Sequence, residues 1–223
     1  MAQSRQVHFC DAGVARNSQV KPGYSIAGLI LAGGASRRMG SPKALLRFQQ
    51  ETFLDRMIRL FEHVCDPVIV VLGHSANQIQ EGLERPSRAL FAVNPDPERG
   101  MLTSLQCGLE KAPAEVDALM FAPVDHPHLK ESTLEALAAH CRTSDAPVTV
   151  PVYAGKHGHP VCISRELIRE LLALPESAMA SDVIHRHVSQ TCYFDVDDPA
   201  VLTDIDDPAA YAQLIGVQES RLG

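Results

Sequence analysis

The sequence predicts a three-layer α/β/α protein built on a mostly parallel β-sheet. Short apolar runs rich in β-forming residues alternate with stretches of helical periodicity, and the apolar runs are continuous instead of alternating with polar residues. The length of 223 residues suits one α/β domain. With 45% hydrophobic and 21% charged residues, the composition argues against a disordered, fibrous or membrane-spanning chain.

Five apolar runs are the predicted strands. They are apolar throughout, as expected for strands that helices cover on both faces of a sheet. In chain order they occupy residues 26–31, 67–72, 88–93, 118–122 and 147–152.

The stretches between and after these strands predict helices that cross over the sheet in the right-handed sense. In the first, Thr52 and Asp55 are placed like the two ends of a capping box. The last begins at Asp207-Pro208, a capping residue followed by a proline in the first turn. The other predicted helices span residues 75–82, 102–111, 132–141, 165–173 and 178–187, after a first one at 52–64.

Residues 1–24 show no sustained periodicity, and we predict a loose, flexible N-terminal extension there. Residues 25–223 then form a single domain. The formal charge of −7 without a long basic run argues against nucleic-acid or membrane-surface partners. No apolar run reaches the ~20 residues of a spanning helix, so a cytoplasmic protein is expected. The six cysteines form no CxxC pair, which favours scattered buried thiols.

A glycine-rich, basic loop follows the first predicted strand. It spans residues 31–43 with the sequence LAGGASRRMGSPK. Glycines permit a sharp turn that brings backbone N–H groups close to an anion, and Arg38 and Lys43 can supply charge to phosphate oxygens. The loop matches neither the P-loop nor the GxGxxG pattern. Its composition favours a phosphate site over the alternative, a solvated turn.

This loop resembles the LAGGxSxRMGxxK signature of the MobA-like NTP transferases, which include the molybdenum cofactor guanylyl- and cytidylyltransferases, and it matches at every signature position. The resemblance implies a Rossmann-like, nucleotide-diphospho-sugar transferase-like fold. It also implies a loop that wraps the triphosphate of an NTP, with Arg38 and Lys43 at the phosphates. The other implied nucleotide contacts of the loop are Leu31, Ala32 and Gly33 near the base, together with Gly34, Ser36 and Arg37.

One carboxylate is predicted at the carboxyl end of a strand, where open α/β sheets bind their ligands. Asp125 follows the 118–122 run in the segment PVDHP. Mg²⁺ commonly takes one or two protein carboxylates together with substrate phosphates, so Asp125 is the predicted Mg²⁺ anchor, with helix capping as the alternative role. The segment is similar to the metal-binding PxDxP segment of the family.

Three further segments fit the same resemblance. DIDDP at residues 204–208 resembles the family's D-x-D-T-P element, which implies Asp206 as the second metal ligand and Asp204 as a weaker candidate. Asn94 and Ser104 belong to a stretch similar to the one that faces base and ribose. The Gly158-His159-Pro160 segment resembles the GxP turn that lines the acceptor side.

The implied reaction is a nucleotidyl transfer of EC 2.7.7 type. NMP moves from CTP or GTP to a phosphorylated acceptor such as molybdopterin, pyrophosphate leaves, and Arg38, Lys43 and Asp125 are the catalytic residues. A molybdoenzyme or chaperone partner would take up the product. Gly33-Gly34 favours the guanylyl branch, whereas Asp204-Ile205-Asp206 favours the cytidylyl branch.

The acceptor stays open because many family members carry a Gly-Asp-x-Gly-Ala-Arg segment where this chain has ESAMAS at residues 176–181. One alternative is therefore a sugar-phosphate or alcohol-phosphate nucleotidyltransferase, since a fold does not determine its acceptor. Another is a non-catalytic protein that binds a nucleotide or hands over a cofactor.

Three His-x-His pairs suggest a competing transition-metal site, because alternate residues of a strand share a face. The pairs are His126/His128, His157/His159 and His185/His187. His126 also adjoins Asp125, so it is a candidate for substrate contact.

Overall fold

The computed structural model describes residues 9–10, 21–84, 89–175 and 177–222. The strands in these residues are β1 (Phe9–Cys10), β2 (Ile26–Ala32), β3 (Arg47–Phe48), β4 (Glu51–Thr52), β5 (Val68–Leu72), β6 (Leu90–Val93), β7 (Ala118–Pro123), β8 (Val148–Tyr153), β9 (Lys156–His157), β10 (Val161–Ser164) and β11 (Thr191–Asp195). The α-helices are α1 (Phe53–Glu62), α2 (Ala76–Glu81), α3 (Met101–Leu109), α4 (Glu131–Cys141), α5 (Arg165–Leu172), α6 (Ala180–Arg186) and α7 (Pro208–Leu222).

Nine of the described strands form one sheet in the order β1-β11-β8-β10-β7-β2-β5-β6, with β9 paired to β8. The pairs β7·β2, β2·β5, β5·β6, β8·β11 and β11·β1 are parallel. β10 runs antiparallel between β7 and β8, and β9 is antiparallel to β8. The predicted mostly parallel sheet is therefore confirmed.

Two apolar clusters lie on opposite faces of this sheet, which confirms the three layers. Successive residues of β2 alternate between them: Ile26 and Ile30 belong to one cluster, and Ala27 and Leu29 to the other. The first cluster also takes buried side chains from α1 and α4. The second takes them from α3, α5 and α6. β2, β5, β7 and β8 are buried along nearly all of their length, so their continuous apolar runs follow from coverage on both faces. The edge strand β6 is largely exposed.

The direction of the chain reverses at the centre of the sheet. From β2 the chain adds β5 and then β6 on one side, and it returns to place β7 on the other side of β2. In open α/β sheets the crevice outside the carboxyl ends of the strands at such a reversal is the usual ligand site. The loops after β2 and β7 carry the glycine-rich segment and Asp125, respectively.

The predicted helices are all present, with ends shifted by a few residues. Thr52 caps α1, because its hydroxyl accepts a hydrogen bond from the Asp55 amide at 3.0 Å. Asp207 caps α7, because its carboxylate accepts from the Ala210 amide at 2.9 Å. The predicted N-caps at Thr52 and Asp207 are confirmed; in the expected capping box, the Asp55 carboxylate accepts from the Thr52 hydroxyl at 2.7 Å in place of the Thr52 amide.

Six strands were not predicted: β1, the β3–β4 hairpin, β9, β10 and β11. They are two to five residues long, which is too short for the long apolar run by which the other strands were predicted. Of the predicted 88–93 strand, residue 88 lies outside the described residues, and β6 covers the rest from Leu90.

Most of the predicted flexible extension at residues 1–24 lies outside the described residues. Two of its residues form β1, which pairs in parallel with Tyr193 and Phe194 of β11. Cysteines 65, 107, 141, 162 and 192 form no disulfide with one another, and four of them are buried. In the described part of the chain, no helix is both long and apolar enough to cross a membrane.

Candidate active site

The glycine-rich loop leaves the sheet at the end of β2 and folds back on itself. Ser36 adopts a left-handed conformation with φ of 48°, and its carbonyl accepts a hydrogen bond from the Met39 amide at 2.9 Å. The Ser36 hydroxyl accepts a second one from the Lys43 amide at 3.1 Å. Ser36 therefore holds the two ends of the basic segment together and directs Lys43 towards the sheet.

This loop forms one wall of a cavity of about 270 Å³ at the reversal of the sheet. Eight residues predicted to form the site line it: Leu31, Ala32, Gly33, Gly34, Ser36, Lys43, Ser104 and Asp125. Pro42 and Ala44, next to Lys43, also line it. The other walls come from α2, from the segment that enters α3 and from the end of β7, through Ile79, Pro97, Gly100, Met101, Pro123 and Val124.

The floor of the cavity depends on a close approach between two loops. A Cβ atom on Gly73, just after β5, would lie 2.7 Å from the Gly33 carbonyl oxygen and 2.9 Å from Pro97 Cβ. Only glycine fits that space without displacing the loop after β2. Gly34 differs, because a Cβ there would meet nothing within 4 Å. The backbone at Gly34 is thus open to an approaching ligand.

Asn94 supports the cavity from behind. It is buried, and its side-chain amide donates hydrogen bonds to Ser104 Oγ at 2.9 Å and to Thr103 Oγ1 at 3.1 Å. Its side-chain oxygen accepts from the Asp96 amide at 3.0 Å. Asn94 therefore orients Ser104, which lines the cavity, and its own amide is occupied within the protein.

A network of charges occupies the end of the cavity nearest to β7. Lys43 Nζ lies 2.8 Å from Asp125 Oδ2 and also contacts Asp206 Oδ1. Arg38 completes the network, with a nitrogen 2.8 Å from Asp206 Oδ2. The side chains of Lys43 and Asp125 are only 14% and 15% exposed, so this pair is shielded from solvent.

The pKa values reflect these contacts. Burial alone would lower the pKa of Lys43, but its bonds to Asp125 and Asp206 raise that pKa above the ordinary value. The same contact with Lys43 lowers the pKa of Asp206, with a smaller contribution from Arg38. The ammonium and the Asp206 carboxylate therefore stay charged over a wide pH range.

Arg37 points elsewhere, although it was predicted to contact the nucleotide. Its guanidinium lies 2.6 Å from Glu98 Oε1, and His74 Nε2 lies 3.1 Å from the same oxygen. Both Arg37 and Glu98 are largely exposed. This trio joins the glycine-rich loop to the loop before α3 across the mouth of the cavity, and Arg37 is not among the lining residues.

A second group of polar atoms lies on the other side of Asp125. His126 is fully buried, and its Nε2 lies 3.0 Å from Asp204 Oδ1 and 4.0 Å from Asp125 Oδ1. One ligand atom from each of these three residues can be chosen so that all lie within 4.8 Å of one another. This cluster could hold a metal ion. It contains Asp204, the weaker candidate, whereas Asp206 is held by Lys43 and Arg38.

Gly158 and Pro160 lie beside this cluster and not in the cavity. A Cβ atom on Gly158 would overlap the Val201 carbonyl, and the same carbonyl accepts a hydrogen bond from the His159 amide at 2.9 Å. The His159 ring consequently lies 5.4 Å from the His126 ring. Burial lowers the pKa of His159 to about 4, so its ring is neutral. The roles predicted for Gly158 and Pro160 stay predictions.

Sequence reasoning missed several residues of the site. Pro97 and Met101 line the cavity, and Glu98 captures Arg37. Their segment was identified only through Asn94 and Ser104, whose residue types suggest polar recognition. The pairing of His126 with Asp204 had a visible signal, since His126 directly follows Asp125, but the proximity of residue 204 required the fold.

Fold and site together define a class of protein: an α/β enzyme domain with a glycine-rich, basic anion loop and carboxylates at the carboxyl ends of its strands. The family model "MobA-like NTP transferase domain" matches residues 28–191. The chain therefore belongs to the MobA-like NTP transferase family, as the glycine-rich loop predicted. It is a nucleotidyltransferase of EC 2.7.7 type.

Relatives with assigned functions include both base specificities. The chain is 25% identical over 182 residues to the molybdenum cofactor cytidylyltransferase of Escherichia coli K12, covering 81% of this chain and 90% of that protein. It is 32% identical over 172 residues to the molybdenum cofactor guanylyltransferase of Mesorhizobium japonicum, covering 73% and 79%. Among solved structures, that of Rv0371c from Mycobacterium tuberculosis H37Rv superposes with a TM-score of 0.74 at 25% identity, covering 86% and 98%.

Proposed function

We propose that this chain transfers the nucleoside monophosphate of CTP or GTP to a phosphorylated acceptor of the molybdopterin kind, with Mg²⁺ as the predicted metal. The observation that carries the proposal is the shielded contact of Lys43 with Asp125 at one end of the cavity. The relatives include a cytidylyltransferase and a guanylyltransferase, so CTP and GTP are the two proposed donors.

The cavity supports an assignment of its two ends. A Cβ atom on Gly33 would lie 3.5 Å from Ser104 Oγ, so these two lining residues adjoin each other, and the base and ribose are assigned to this part of the cavity. Gly34 and Ser36 lead to Lys43, so the phosphates would follow the loop to the charged end. The open backbone at Gly34 and the Lys43 ammonium would contact phosphate oxygens.

In the proposed reaction an acceptor phosphate oxygen attacks the α-phosphorus of the NTP in line. The new P–O bond forms as the bond to the bridging oxygen of the β-phosphate breaks, and pyrophosphate leaves with that electron pair. Lys43 and Arg38 offset the negative charge that builds up on the leaving group. The attacking phosphate is already ionised, so no residue has to remove a proton from it.

Asp125 and one C-terminal carboxylate would hold the divalent cation, which when bound neutralises phosphate charge. The donor set fits such an ion, because Asp125 Oδ1 is buried and makes no hydrogen bond within the described residues. The other oxygen, Oδ2, accepts from Lys43. Asp125 thus presents one oxygen to the lysine and keeps the other for a cation.

Release of pyrophosphate in the presence of an acceptor tests the proposal. Purified protein is incubated with CTP or GTP, Mg²⁺ and molybdopterin, and the dinucleotide product is identified by mass. We expect product with one of the two nucleotides and none with Asp125→Asn. Asp197→Asn is the matched control, because this exposed carboxylate lies outside the cavity and the Asp125 cluster. Near-normal turnover by Asp125→Asn would contradict the assignment.

The same assay separates the acceptor alternatives. ESAMAS stands at residues 176–181 in place of the segment that many cofactor-transferring members carry. A panel of sugar phosphates and alcohol phosphates is therefore run beside molybdopterin. Product with one of these and none with molybdopterin would keep the nucleotidyl transfer and replace the acceptor.

A further inference from the structure

A second cavity, of about 970 Å³, lies apart from the cavity beside the glycine-rich loop, and the two share no lining residue. Its walls are the β3–β4 hairpin, α1, the segment that enters α4, residues 198–203 and α7. The volume is within the range of about 300–1,000 Å³ that small-molecule sites occupy. The proposed nucleotidyl transfer makes no use of this space.

The second cavity has an apolar part. Phe48, Leu60, Leu129 and Ala200 line it, and all four are buried. An apolar lining with a few polar groups is typical of sites that bind small organic molecules. The polar side chains of the cavity therefore indicate which kind of molecule it takes.

Arg56 is a lining residue whose charge the protein does not pair. Its Nε donates to the Pro127 carbonyl oxygen, its Nη1 donates to Gln49 Oε1 at 3.2 Å, and the guanidinium lies 5.1 Å from the centre of the Phe48 ring. Within the described residues, Nη2 makes no hydrogen bond and no carboxylate pairs with the guanidinium. Burial and the neighbouring Arg59 lower the pKa of Arg56, so a bound anion would stabilise its charged form.

The acidic side chains of the cavity are already engaged within the protein. The lining carries three basic side chains, Arg56, Arg59 and Lys130, and three acidic ones. Glu51 accepts from Arg59 Nε with both oxygens at 3.1 Å, and Glu131 lies 4.0 Å from Arg59. The buried Asp198 accepts from the Lys130 amide at 3.0 Å. Arg56 and the Lys130 ammonium are therefore the groups left to bind an external charge.

We propose that this cavity is an effector site for a small organic anion, in which Arg56 binds a carboxylate or phosphate group and the apolar lining contacts the rest of the molecule. A planar guanidinium with N–H groups to spare matches the oxygens of either group. Lys130 supplies the second cation, because its ammonium contacts the Asp197 carbonyl oxygen at 2.6 Å and pairs with no carboxylate of the described residues.

The wall formed by residues 198–203 connects this site to the candidate active site. The chain continues from Thr203 to Ile205, whose amide donates to the Asp125 carbonyl oxygen at 3.1 Å, and to Asp206, which contacts Lys43. An anion packed against the wall would therefore act on the position of both carboxylates. The ligand and the nucleotide would then change each other's affinity by the same factor. This coupling rests on the proposed function, whereas the site itself does not.

Phenyl phosphate and benzoate are suitable probes, because each joins an anionic group to an apolar ring, and the two arms separate phosphate from carboxylate recognition. Two-dimensional NMR of the ¹⁵N-labelled full chain locates their binding without a variant. We expect saturable shifts at residues 56–60 and 198–203 with a Kd of about 1 mM for at least one probe. Shifts confined to residues 31–43, or no saturable binding of either probe, would overturn the proposal.

Variants then assign the anion contact. Arg56→Gln should weaken binding of the probe about 10- to 100-fold. Arg169→Gln is the matched control, because this exposed arginine of α5 lines neither cavity, and it should leave binding unchanged. Thermal melts show whether the variants are folded. Equal binding by wild type and a folded Arg56→Gln protein would contradict the assignment.

Calorimetry with CTP or GTP and Mg²⁺, in the presence and absence of the probe, measures the coupling. We expect the nucleotide affinity to change at least about 5-fold in wild type and not in Arg56→Gln. An unchanged affinity in wild type would overturn the effector role. Probe binding at Arg56 in a protein that binds no nucleotide would keep the site and remove the proposed function, and nucleotide binding without probe binding would do the reverse.

Discussion

Lys43 Nζ lies 2.8 Å from Asp125 Oδ2, which joins the glycine-rich loop to the end of β7 across the cavity. The two residues are 82 positions apart in the chain. The contact pairs the cation expected at the phosphates with the carboxylate expected at the metal. Binding of a nucleotide and of a metal ion should therefore be coupled, because each alters the charge that the other meets.

Removal of Lys43 should have opposite effects on catalysis and on metal binding. We expect Lys43→Ala to lower the rate of pyrophosphate release about 10²–10³-fold, by analogy with other electrostatic stabilisers. In the absence of nucleotide, divalent-cation affinity should rise, because Asp125 and Asp206 lose their positive neighbour. Single-turnover kinetics and calorimetry measure the two effects. Lys111→Ala, two residues beyond the end of α3, is the control, and a fall in both quantities would point to loss of structure instead.

Gly34 should be needed for the nucleotide and not for the fold. A Cβ there meets nothing within 4 Å, so Gly34→Ala should change the free energy of unfolding by less than about 0.5 kcal/mol. The methyl group would occupy space near the phosphates, and we expect KM for the NTP to rise about 10-fold, or ~1.4 kcal/mol.

Gly108→Ala should instead lower the stability of the fold and leave nucleotide binding nearly unchanged. Its Cβ would overlap Leu29 and lie 2.7 Å from Val71 Cγ2, so it should destabilise the protein by about 1–3 kcal/mol with little change in KM. For both variants, urea unfolding measures the free energy of unfolding and steady-state kinetics measures KM. An unchanged KM in Gly34→Ala would remove this part of the loop from the nucleotide site.

The two neighbouring arginines should differ in importance. Arg37 forms an exposed pair with Glu98, and such pairs contribute about 0–1 kcal/mol, so Arg37→Ala should change kcat/KM by less than about 3-fold. Arg38 contacts Asp206 beside Lys43, and Arg38→Ala should lower kcat/KM by about 10-fold or more. A larger loss in Arg37→Ala would support the nucleotide contact predicted for Arg37 from the sequence.

His140 should make stability fall in mild acid. Its Nε2 lies 3.2 Å from Cys192 Sγ, its ring packs 4.8 Å from that of Phe194, and burial lowers its pKa below 6.5. Below pH 6.5 the unfolded chain therefore binds a proton that the folded chain does not, and the free energy of unfolding decreases by up to ~1.4 kcal/mol per pH unit.

Urea unfolding between pH 7.5 and 5 measures this contribution. The advantage of wild type over His140→Gln should shrink as the pH falls. A constant difference across that range would show that His140 titrates alike in the folded and unfolded chains.

Much of the fold was accessible from the sequence because its signals are local. Continuous apolar runs revealed the long parallel strands, and Thr52 and Asp207 marked helix starts that the structure confirms. β10 was missed because four residues that turn back between β7 and β8 carry too little periodicity to be distinguished from a loop.

The residues of the site likewise fall into those that local sequence signals predict and those that only the fold brings together. The glycine-rich loop and Asp125 could be placed together because each follows a strand that must end at the same edge of the sheet. The sequence could not decide which of Asp204 and Asp206 is the second metal ligand, since two aspartates two positions apart give the same signal. Only the fold shows that Asp204 faces His126 while Asp206 faces Lys43 and Arg38. The contact between Arg37 and Glu98 likewise could not be predicted, because the two residues lie on different loops, 61 positions apart in the chain.

We expect the cavity between the glycine-rich loop and Asp125 to bind an NTP together with a divalent cation. Calorimetric titration of the purified protein with CTP, GTP, ATP and UTP, each with and without Mg²⁺ or Mn²⁺, tests it without an acceptor. We predict selective binding of CTP or GTP that is strengthened by the cation and weakened in Lys43→Ala. Absence of binding for all four nucleotides in the presence of either cation would contradict the account.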